Sequence, residues 1–266
     1  NFESVHLKLP KGYNGPLTYK DTETAFQTVP TGFQFGGPFT RIRPFMVQLP
    51  TRWPFETYRV DDAYWTSADI NANATPNPIA SLICPGENAA SRRELAGSAD
   101  YSTFLLLSGN GKGHWINDAS GHPKASCHQT TNYLGCSGDF IPSADQPAAW
   151  GRYRGVFEFG NQIKLEEITD GESNTILYGE VTGRGTDSCF AWTASTQVVH
   201  WNTADFAGQP YPDYQGAWWC FGSSHAENVI NWVFVDGSTH SISESIDPQT
   251  LKALSGREDG EPVNFY

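Results

Sequence analysis

The fold is decided by the stretch Val229-Ile230-Asn231-Trp232-Val233-Phe234-Val235-Asp236-Gly237-Ser238. Successive side chains of a strand point to opposite faces, so Ile230, Trp232 and Phe234 share one side. Asp236-Gly237 is typical of a two-residue hairpin turn, because both turn positions tolerate positive φ. The sequence therefore predicts an apolar strand, a tight turn and a returning strand.

A helix is predicted directly after this hairpin. Asp247 can accept hydrogen bonds from the first free N–H groups, and Pro248 stands where its missing N–H costs nothing. Leu251 and Leu254 share one face, and Gly256 can end the helix. Strand, turn, strand and helix thus form one local folding unit.

Short apolar runs upstream indicate further strands. They are Ile79–Cys84, Tyr101–Leu107, Val156–Phe159, Thr175–Val181, Phe190–Trp192 and Ala217–Trp219. Residues 108–150 have little periodicity and are predicted to form a long insertion on the surface. We expect a single domain over residues 1–266, of the α+β class, dominated by an antiparallel β-sheet with a few short peripheral helices.

The composition argues against two classes of partner. The chain has 29 Asp+Glu against 17 Lys+Arg and a formal net charge of −12. Nucleic-acid binding relies on clustered Lys and Arg, so no nucleic acid is expected as a partner. The longest obvious apolar run, Phe104–Leu107, is far shorter than the roughly 20 residues that span a bilayer. No membrane span is therefore expected in this sequence.

The five cysteines fit an exported protein that contains disulfides. We predict that Cys127 pairs with Cys136, closing a short loop, and that Cys189 pairs with Cys220, bridging two aromatic segments. Other pairings stay open. Cys84 is then left over, and its partner is expected upstream of Asn1.

Several segments together resemble a large bacterial family of prepilin-like proteins of unknown function. Residues 168–181 are similar to the family's passage DITDGTSNTLLVGEV, residues 82–85 to its FLCPSD and residues 131–135 to its TNYxG. Residues 234–238, 243–247 and 250–254 resemble its closing segment, and the blocks follow the family's order. The resemblance implies a disulfide-stapled, pilin-like head at the cell surface or outside the cell, which assembles with its own copies or with other pilin-like subunits.

The family's signature is a histidine, nine further residues and Asp-Gly. His225, Asp236 and Gly237 resemble this signature, but ten residues separate His225 from Asp236. We therefore expect either a bulge in the strand that follows His225 or a shifted match. The family's apolar amino-terminal helix has no counterpart here, so the chain is expected to be the globular head alone.

Oxygen-bearing side chains near one turn form a candidate calcium site. They are Asp170, Ser173, Asn174 and Glu180. Calcium takes six to eight oxygen ligands, and the resemblance implies a head in which calcium fixes a loop. The alternative, which we favour because EF-hand spacing is absent, is a plain turn with Asn174 bonded to the backbone and Glu180 solvated or paired.

A second set of ligand-type residues lies in the predicted insertion: His114, His122, Cys127, His128 and Cys136. Zinc favours such nitrogen and sulfur ligands, but the spacing matches no common zinc finger. A disulfide between the two cysteines is the favoured interpretation.

No residue pattern predicts catalysis. The chain lacks a Gly-x-Ser-x-Gly elbow, and His225 is expected to be a hydrogen-bonding structural residue. The tryptophans Trp192, Trp201, Trp218, Trp219 and Trp232 are expected in the core, with a sugar-stacking surface as the alternative. We therefore expect a non-enzymatic structural protein of the cell surface or secretion apparatus. The alternative is an extracellular module that binds surface glycans or another solute.

Overall fold

A computed structural model describes residues 2–10, 12, 38–42, 45–46, 80–86, 103–107, 113–117, 130–138, 153–157, 162–181, 190–191, 196–197, 221–223, 225, 227–261 and 263. Three α-helices lie in these residues: α1 (Phe2–His6), α2 (Pro38–Ile42) and α3 (Pro248–Ser255). The strands there are β1 (Thr103–Leu107), β2 (Gly113–Asn117), β3 (Thr130–Thr131), β4 (Tyr133–Cys136), β5 (Ile176–Glu180), β6 (Phe190–Ala191), β7 (Thr196–Gln197), β8 (Val229–Phe234) and β9 (Thr239–Ser243). Short 3-10 helices occur at Ala80–Leu82, Leu165–Glu167 and Glu172–Asn174.

The central sheet has the strand order β7-β4-β5-β8-β9. The pairs β4–β5, β5–β8 and β8–β9 are antiparallel, whereas β7 runs parallel to β4. Strand β1 pairs with β2 and β3 pairs with β6, both antiparallel. An antiparallel sheet with few helices agrees with the predicted α+β class.

The predicted hairpin joins β8 to β9, but its turn differs in detail. The Gly237 N–H donates to the carbonyl of Phe234 (3.0 Å), and only Gly237 in this turn has positive φ, at 85°. Val235 and Asp236 are thus the central residues of the turn, and the glycine follows them. A third loop residue in the left-handed region suits sheet twist as well as the two-residue turn does.

Helix α3 begins and ends as predicted. The Asp247 carboxylate accepts hydrogen bonds from the backbone N–H of Thr250 (2.9 Å) and from its hydroxyl (3.0 Å). Pro248 is the first helical residue, and Gly256 caps the carboxyl end. Leu251 and Leu254 are buried against the sheet, so the helix covers one of its faces.

The two faces of the central sheet have different roles. Alternating residues of β8 (Ile230, Trp232, Phe234) point to α3 and form the main core, with Trp232 and Phe221 ring centroids 4.8 Å apart. On the opposite face, Tyr178 of β5 stacks on Phe39 of α2 at 4.9 Å. We call this second side the cavity face, because it borders the cavity described below.

Two sequence-based strand predictions are wrong, and at one of them Val156 and Phe157 form a bend instead of a strand. Residues 80–82 form a 3-10 turn instead of a strand, because the Leu82 carbonyl accepts from the Asn132 N–H (2.8 Å) rather than from a neighbouring ladder. The stretch 108–150 is not simply a surface insertion. Its residues Leu134 and Cys136 are buried in the main core, since β4 pairs with β5 inside the central sheet.

The predicted disulfides lie largely outside the described residues. Cys84 and Cys136 are both buried and are not joined to each other. Cys127, Cys189 and Cys220 are outside the described part of the chain, so the pairings Cys127–Cys136 and Cys189–Cys220 stay predictions. Among the described residues, no helix is long and apolar enough to cross a bilayer.

Candidate functional site

Three ligand-type side chains from separate segments meet on the cavity face. Cys84 follows the 3-10 turn at 80–82, Glu180 is the last residue of β5, and His225 precedes β8. His225 Nε2 lies 3.2 Å from Glu180 Oε1 and 3.7 Å from Cys84 Sγ. The three ligand atoms all lie within 4.8 Å of one another. We call Cys84, Glu180 and His225 the CEH cluster.

Glu180 is held in a nearly water-free position. It is only 3% exposed. Its Oε2 accepts the backbone N–H of Asn231 (2.8 Å), and its Oε1 faces His225. A buried carboxylate is costly unless its oxygens are paired, so both partners stabilise this placement.

His225 carries an unusual concentration of contacts on one ring nitrogen. Besides Glu180 and Cys84, the side-chain amide of Asn231 lies 3.0 Å from His225 Nε2. The backbone N–H of His225 donates to the Ser223 hydroxyl (3.1 Å), which fixes the loop before β8. The imidazole is about one third exposed, with a side-chain exposure of 31%. His225 is therefore the member of the cluster that solvent can reach.

Cys84 is positioned by Asn132, the residue between β3 and β4. Asn132 Oδ1 accepts the Cys84 backbone N–H (3.0 Å), while its Nδ2 donates to the Val181 carbonyl (3.1 Å). One buried amide thereby ties the cysteine loop to the residue that follows Glu180. Nearby, a Cβ on Gly86 would stand 3.3 Å from His225 Cε1, so a glycine lets the loop close over the imidazole.

The site also alters a neighbouring phenol. Tyr133 of β4 pairs with Glu180 across the sheet. Burial, and then the charges of Cys84 and Glu180, raise the pKa of Tyr133 to about 12. Burial also raises the pKa of Tyr178 well above its usual range. Both phenols therefore stay neutral to a higher pH than a free tyrosine does.

A cavity of about 460 Å³ adjoins the CEH cluster. The residues that line it are mostly apolar or aromatic, with polar residues among them: Phe39, Leu82, Tyr133, Tyr178, Trp232 and Val233, with Ser81, Asn231, Thr239, His240 and Ser241. Asn231 links the two features, because it lines the cavity and contacts His225 and Glu180. Its Oδ1 also accepts the Ser241 hydroxyl (2.5 Å).

The cluster does not have the geometry of a nucleophilic relay. In such a relay the nucleophile contacts one ring nitrogen of the histidine and the carboxylate contacts the other. Here the Cys84 sulfur and the Glu180 carboxylate both face Nε2. The arrangement instead presents a sulfur, an oxygen and a nitrogen towards one point, as metal ligands do.

The candidate calcium ligands do not all lie together, and several already have other hydrogen-bond partners. Asp170 Oδ2 and Oδ1 accept the backbone N–H groups of Asp259 (2.7 Å) and Gly260 (3.0 Å). Asn174 donates to the Asp170 carbonyl (3.1 Å), and Ser173 is exposed. Glu180 lies at the far end of β5 and faces His225. The structure thus gathers Asp170 and Asn174 at one turn but not Glu180, and the calcium site stays a prediction.

The signature-like residues are also separated. His225 and Asp236 flank opposite ends of the six-residue strand β8, so about 20 Å of strand lies between them. Hydrogen bonds from the Ser238 side chain and backbone hold the pKa of Asp236 below its usual range.

The residues between His225 and Asp236 contain a turn at 227–228, before β8 begins, and Asn228 in this turn has φ 50°. The irregularity in the pairing of β8 with β5 lies on β5, between Ile176 and Tyr178, and not in the strand that follows His225.

The remaining sequence-based candidates divide into two groups. Trp232 is only 1% exposed and cannot stack on a ligand at the surface. His114 lies in β2, opposite Leu106. His122, His128, Trp192, Trp201, Trp218 and Trp219 fall outside the described residues. The zinc site in the predicted insertion therefore stays a prediction.

Sequence reasoning missed the CEH cluster as a unit. Each of its members stands in a segment that carries the prepilin-like resemblance or its signature: residues 82–85, 168–181 and the region of His225. The presence of one ligand-type residue in each of three such segments is the sequence signal that could have predicted the cluster. Their distance along the chain concealed their proximity, because β5 and β8 must pair before Glu180 meets His225.

Residues 1–249 match the family described as protein of unknown function (DUF1559), and the chain belongs to this family. A search of curated proteins and a search of solved structures each found no significant match.

Proposed function

We propose that this protein is the soluble head of a pilin-like subunit at the cell surface, which acts by assembly or contact rather than by catalysis. The observation that carries this proposal concerns the segment around α1. Val5 and Leu7 are 64% and 71% exposed and are the large apolar side chains that stand out to solvent in the described part of the chain. Two large apolar side chains exposed in one short segment suit a contact surface better than isolated ones do.

The same segment is firmly attached to the rest of the protein. Leu9 is buried with Val156, Ile163 and Ile168, and its backbone N–H donates to the Ile163 carbonyl (2.7 Å). The exposed residues are therefore held on a fixed base. A rigidly presented apolar surface loses little entropy on association, which favours assembly.

Sedimentation velocity over a range of protein concentrations tests the proposal. We expect reversible self-association that the double substitution Val5→Ser, Leu7→Ser weakens about tenfold or more, because each buried aliphatic side chain contributes about 1 kcal/mol or more. Thr169→Ala, another exposed position, serves as the control. A chain that stays monomeric at all concentrations, with micrographs free of fibres, would contradict the proposal.

The second candidate function is binding of a small solute, such as a sugar of a surface glycan, in the cavity. Its volume of about 460 Å³ is within the range of about 300–1,000 Å³ typical of ligand sites. The stacked pair Phe39 and Tyr178 offers an aromatic wall, and Asn231 and Ser241 offer hydrogen bonds. Ligand-observed NMR with methyl glycosides tests it: Ser241→Ala should weaken any binding, and no binding by the parent chain would exclude these sugars.

A further inference from the structure

The geometry points to a zinc site formed by Cys84 Sγ, Glu180 Oε1 and His225 Nε2. The inference is independent of the proposed assembly function, because it rests on the CEH cluster and not on the segment around α1. Thiolate, imidazole and carboxylate are the ligand types that zinc takes in proteins.

The spacing of the three atoms agrees with one tetrahedral ion. Zinc bonds of about 2.3 Å to sulfur and about 2.0–2.2 Å to nitrogen and oxygen place the ligand atoms roughly 3.3–3.6 Å apart. The nitrogen–oxygen distance is 3.2 Å and the nitrogen–sulfur distance is 3.7 Å. The sulfur and the carboxylate oxygen are within 4.8 Å. Binding one ion requires this last pair to stand about 3.6 Å apart, and rotation of the two side chains sets that distance.

With the Asn231 amide in the orientation that the structure shows, the contacts at His225 Nε2 are hard to satisfy by hydrogen bonding alone. A neutral ring nitrogen either donates or accepts one hydrogen bond. Here the Glu180 carboxylate needs a donor and the Asn231 Nδ2 is itself a donor, and both face the same nitrogen. A cation at that point accepts a lone pair from Nε2 and from Glu180 Oε1 at once.

The surrounding residues orient the ligands as an outer sphere of a metal site does. Asn132 fixes the backbone of Cys84, and the Asn231 N–H occupies Glu180 Oε2, leaving Oε1 for the ion. Such partners commonly set ligand direction and affinity. Gly86 leaves space beside the imidazole.

Asn231 is placed to complete the site. In the structure, Asn231 Nδ2 faces His225 and Oδ1 accepts the Ser241 hydroxyl. Turning the amide by 180° exchanges the two atoms. Oδ1 then faces the CEH cluster, and Nδ2 donates to the Ser241 hydroxyl. The fourth position is then either this oxygen or a molecule entering from the adjoining cavity. The sulfur ligand favours zinc over calcium, since calcium prefers oxygen alone.

The test is metal binding to the purified chain, kept reduced, stripped with a chelator and titrated with zinc against a chromophoric competitor. We expect one zinc per chain, unaffected by excess calcium. Cys84→Ser and His225→Gln should each weaken binding at least about 100-fold, more than loss of an outer-sphere partner does. His240→Gln is the matched control, because His240 faces Ser238 and Phe234 instead. Equal affinity in the parent and Cys84→Ser would overturn the site.

A second measurement does not depend on the variants folding. It uses cobalt, which takes the same ligands as zinc and reports a bound thiolate by its spectrum. Cobalt in place of zinc should give a sulfur-to-metal charge-transfer band. Cobalt binding to the parent chain without that band would contradict the proposal.

Discussion

Gly179 of β5 lies directly against the indole ring of Trp232 on the neighbouring strand β8. A methyl group on Gly179 would overlap this ring and would also stand 2.7 Å from Phe221 Cδ1. The largest side chain of the main core therefore fits because its cross-strand neighbour has none. This close approach lies one residue from Glu180, so core packing and the CEH cluster share one strand.

Gly179→Ala should destabilise the protein by about 1–3 kcal/mol, the usual cost of an added methyl group in a packed core. Urea unfolding measures the loss. Trp232→Phe in the same chain should restore part of it, because the smaller ring yields space. Strictly additive effects of the two substitutions would show that the contact does not limit packing.

Asn132→Ala should cost about 2–3 kcal/mol of unfolding free energy, because it leaves the Cys84 N–H and the Val181 carbonyl without their buried partner. Asn174→Ala, at a half-buried asparagine with a hydrogen bond to the Asp170 carbonyl, should cost about 1 kcal/mol. Chemical denaturation of both variants compares them. Equal losses would mean that Asn132 does not tie the two segments together.

Asp247→Ala should cost about 1 kcal/mol, since the backbone N–H of Thr250 loses its acceptor at the start of α3. Asp247→Asn should retain most of the stability, because asparagine caps helices as well as aspartate does. Thermal or urea unfolding distinguishes the variants. A similar loss in both would assign the effect to charge instead of to the cap.

The raised pKa of Tyr133 predicts a loss of stability at alkaline pH. Below the unfolded pKa of about 10 the phenol is neutral in both states, so it has no effect. Between there and the folded pKa of about 12 the unfolded chain ionises first, and stability falls as pH rises. The loss is about 1 kcal/mol, because solvent screens this partly exposed group.

Urea unfolding at about pH 9 and about pH 11 checks this prediction, with Tyr133→Phe as the control. The parent chain should lose more stability than the variant over this interval. Glu180→Gln should lower the pKa of Tyr133, because it removes one of the charges that raise it. An identical pH dependence in the parent and Tyr133→Phe would contradict the assignment.

Local signals in the sequence predicted the carboxyl-terminal part of the fold. The period-two pattern of β8 and the cap residues of α3 act within a few residues, and both are confirmed. The sequence also predicts a turn at Asp236-Gly237. The central residues of that turn are Val235 and Asp236 instead, because the closing hydrogen bond runs from Gly237 to Phe234, and the residue types alone do not specify this bond.

Long-range pairing explains most of what the sequence could not predict. Strand β4 has only four residues and lies in a Gly- and Ser-rich stretch, so its burial is dictated by β5. Leu82 and Cys84 are apolar enough for a strand, yet their backbone is drawn towards Asn132, 48 residues from Cys84 in sequence. The CEH cluster has the same origin, because it exists only after these pairings form.

Anomalous diffraction from crystals grown with zinc, recorded on both sides of the zinc absorption edge, tests the central claim most directly. The account predicts one peak bonded to Cys84 Sγ, Glu180 Oε1 and His225 Nε2. A difference map with no peak among these three atoms, or with zinc bound only elsewhere on the chain, would contradict it.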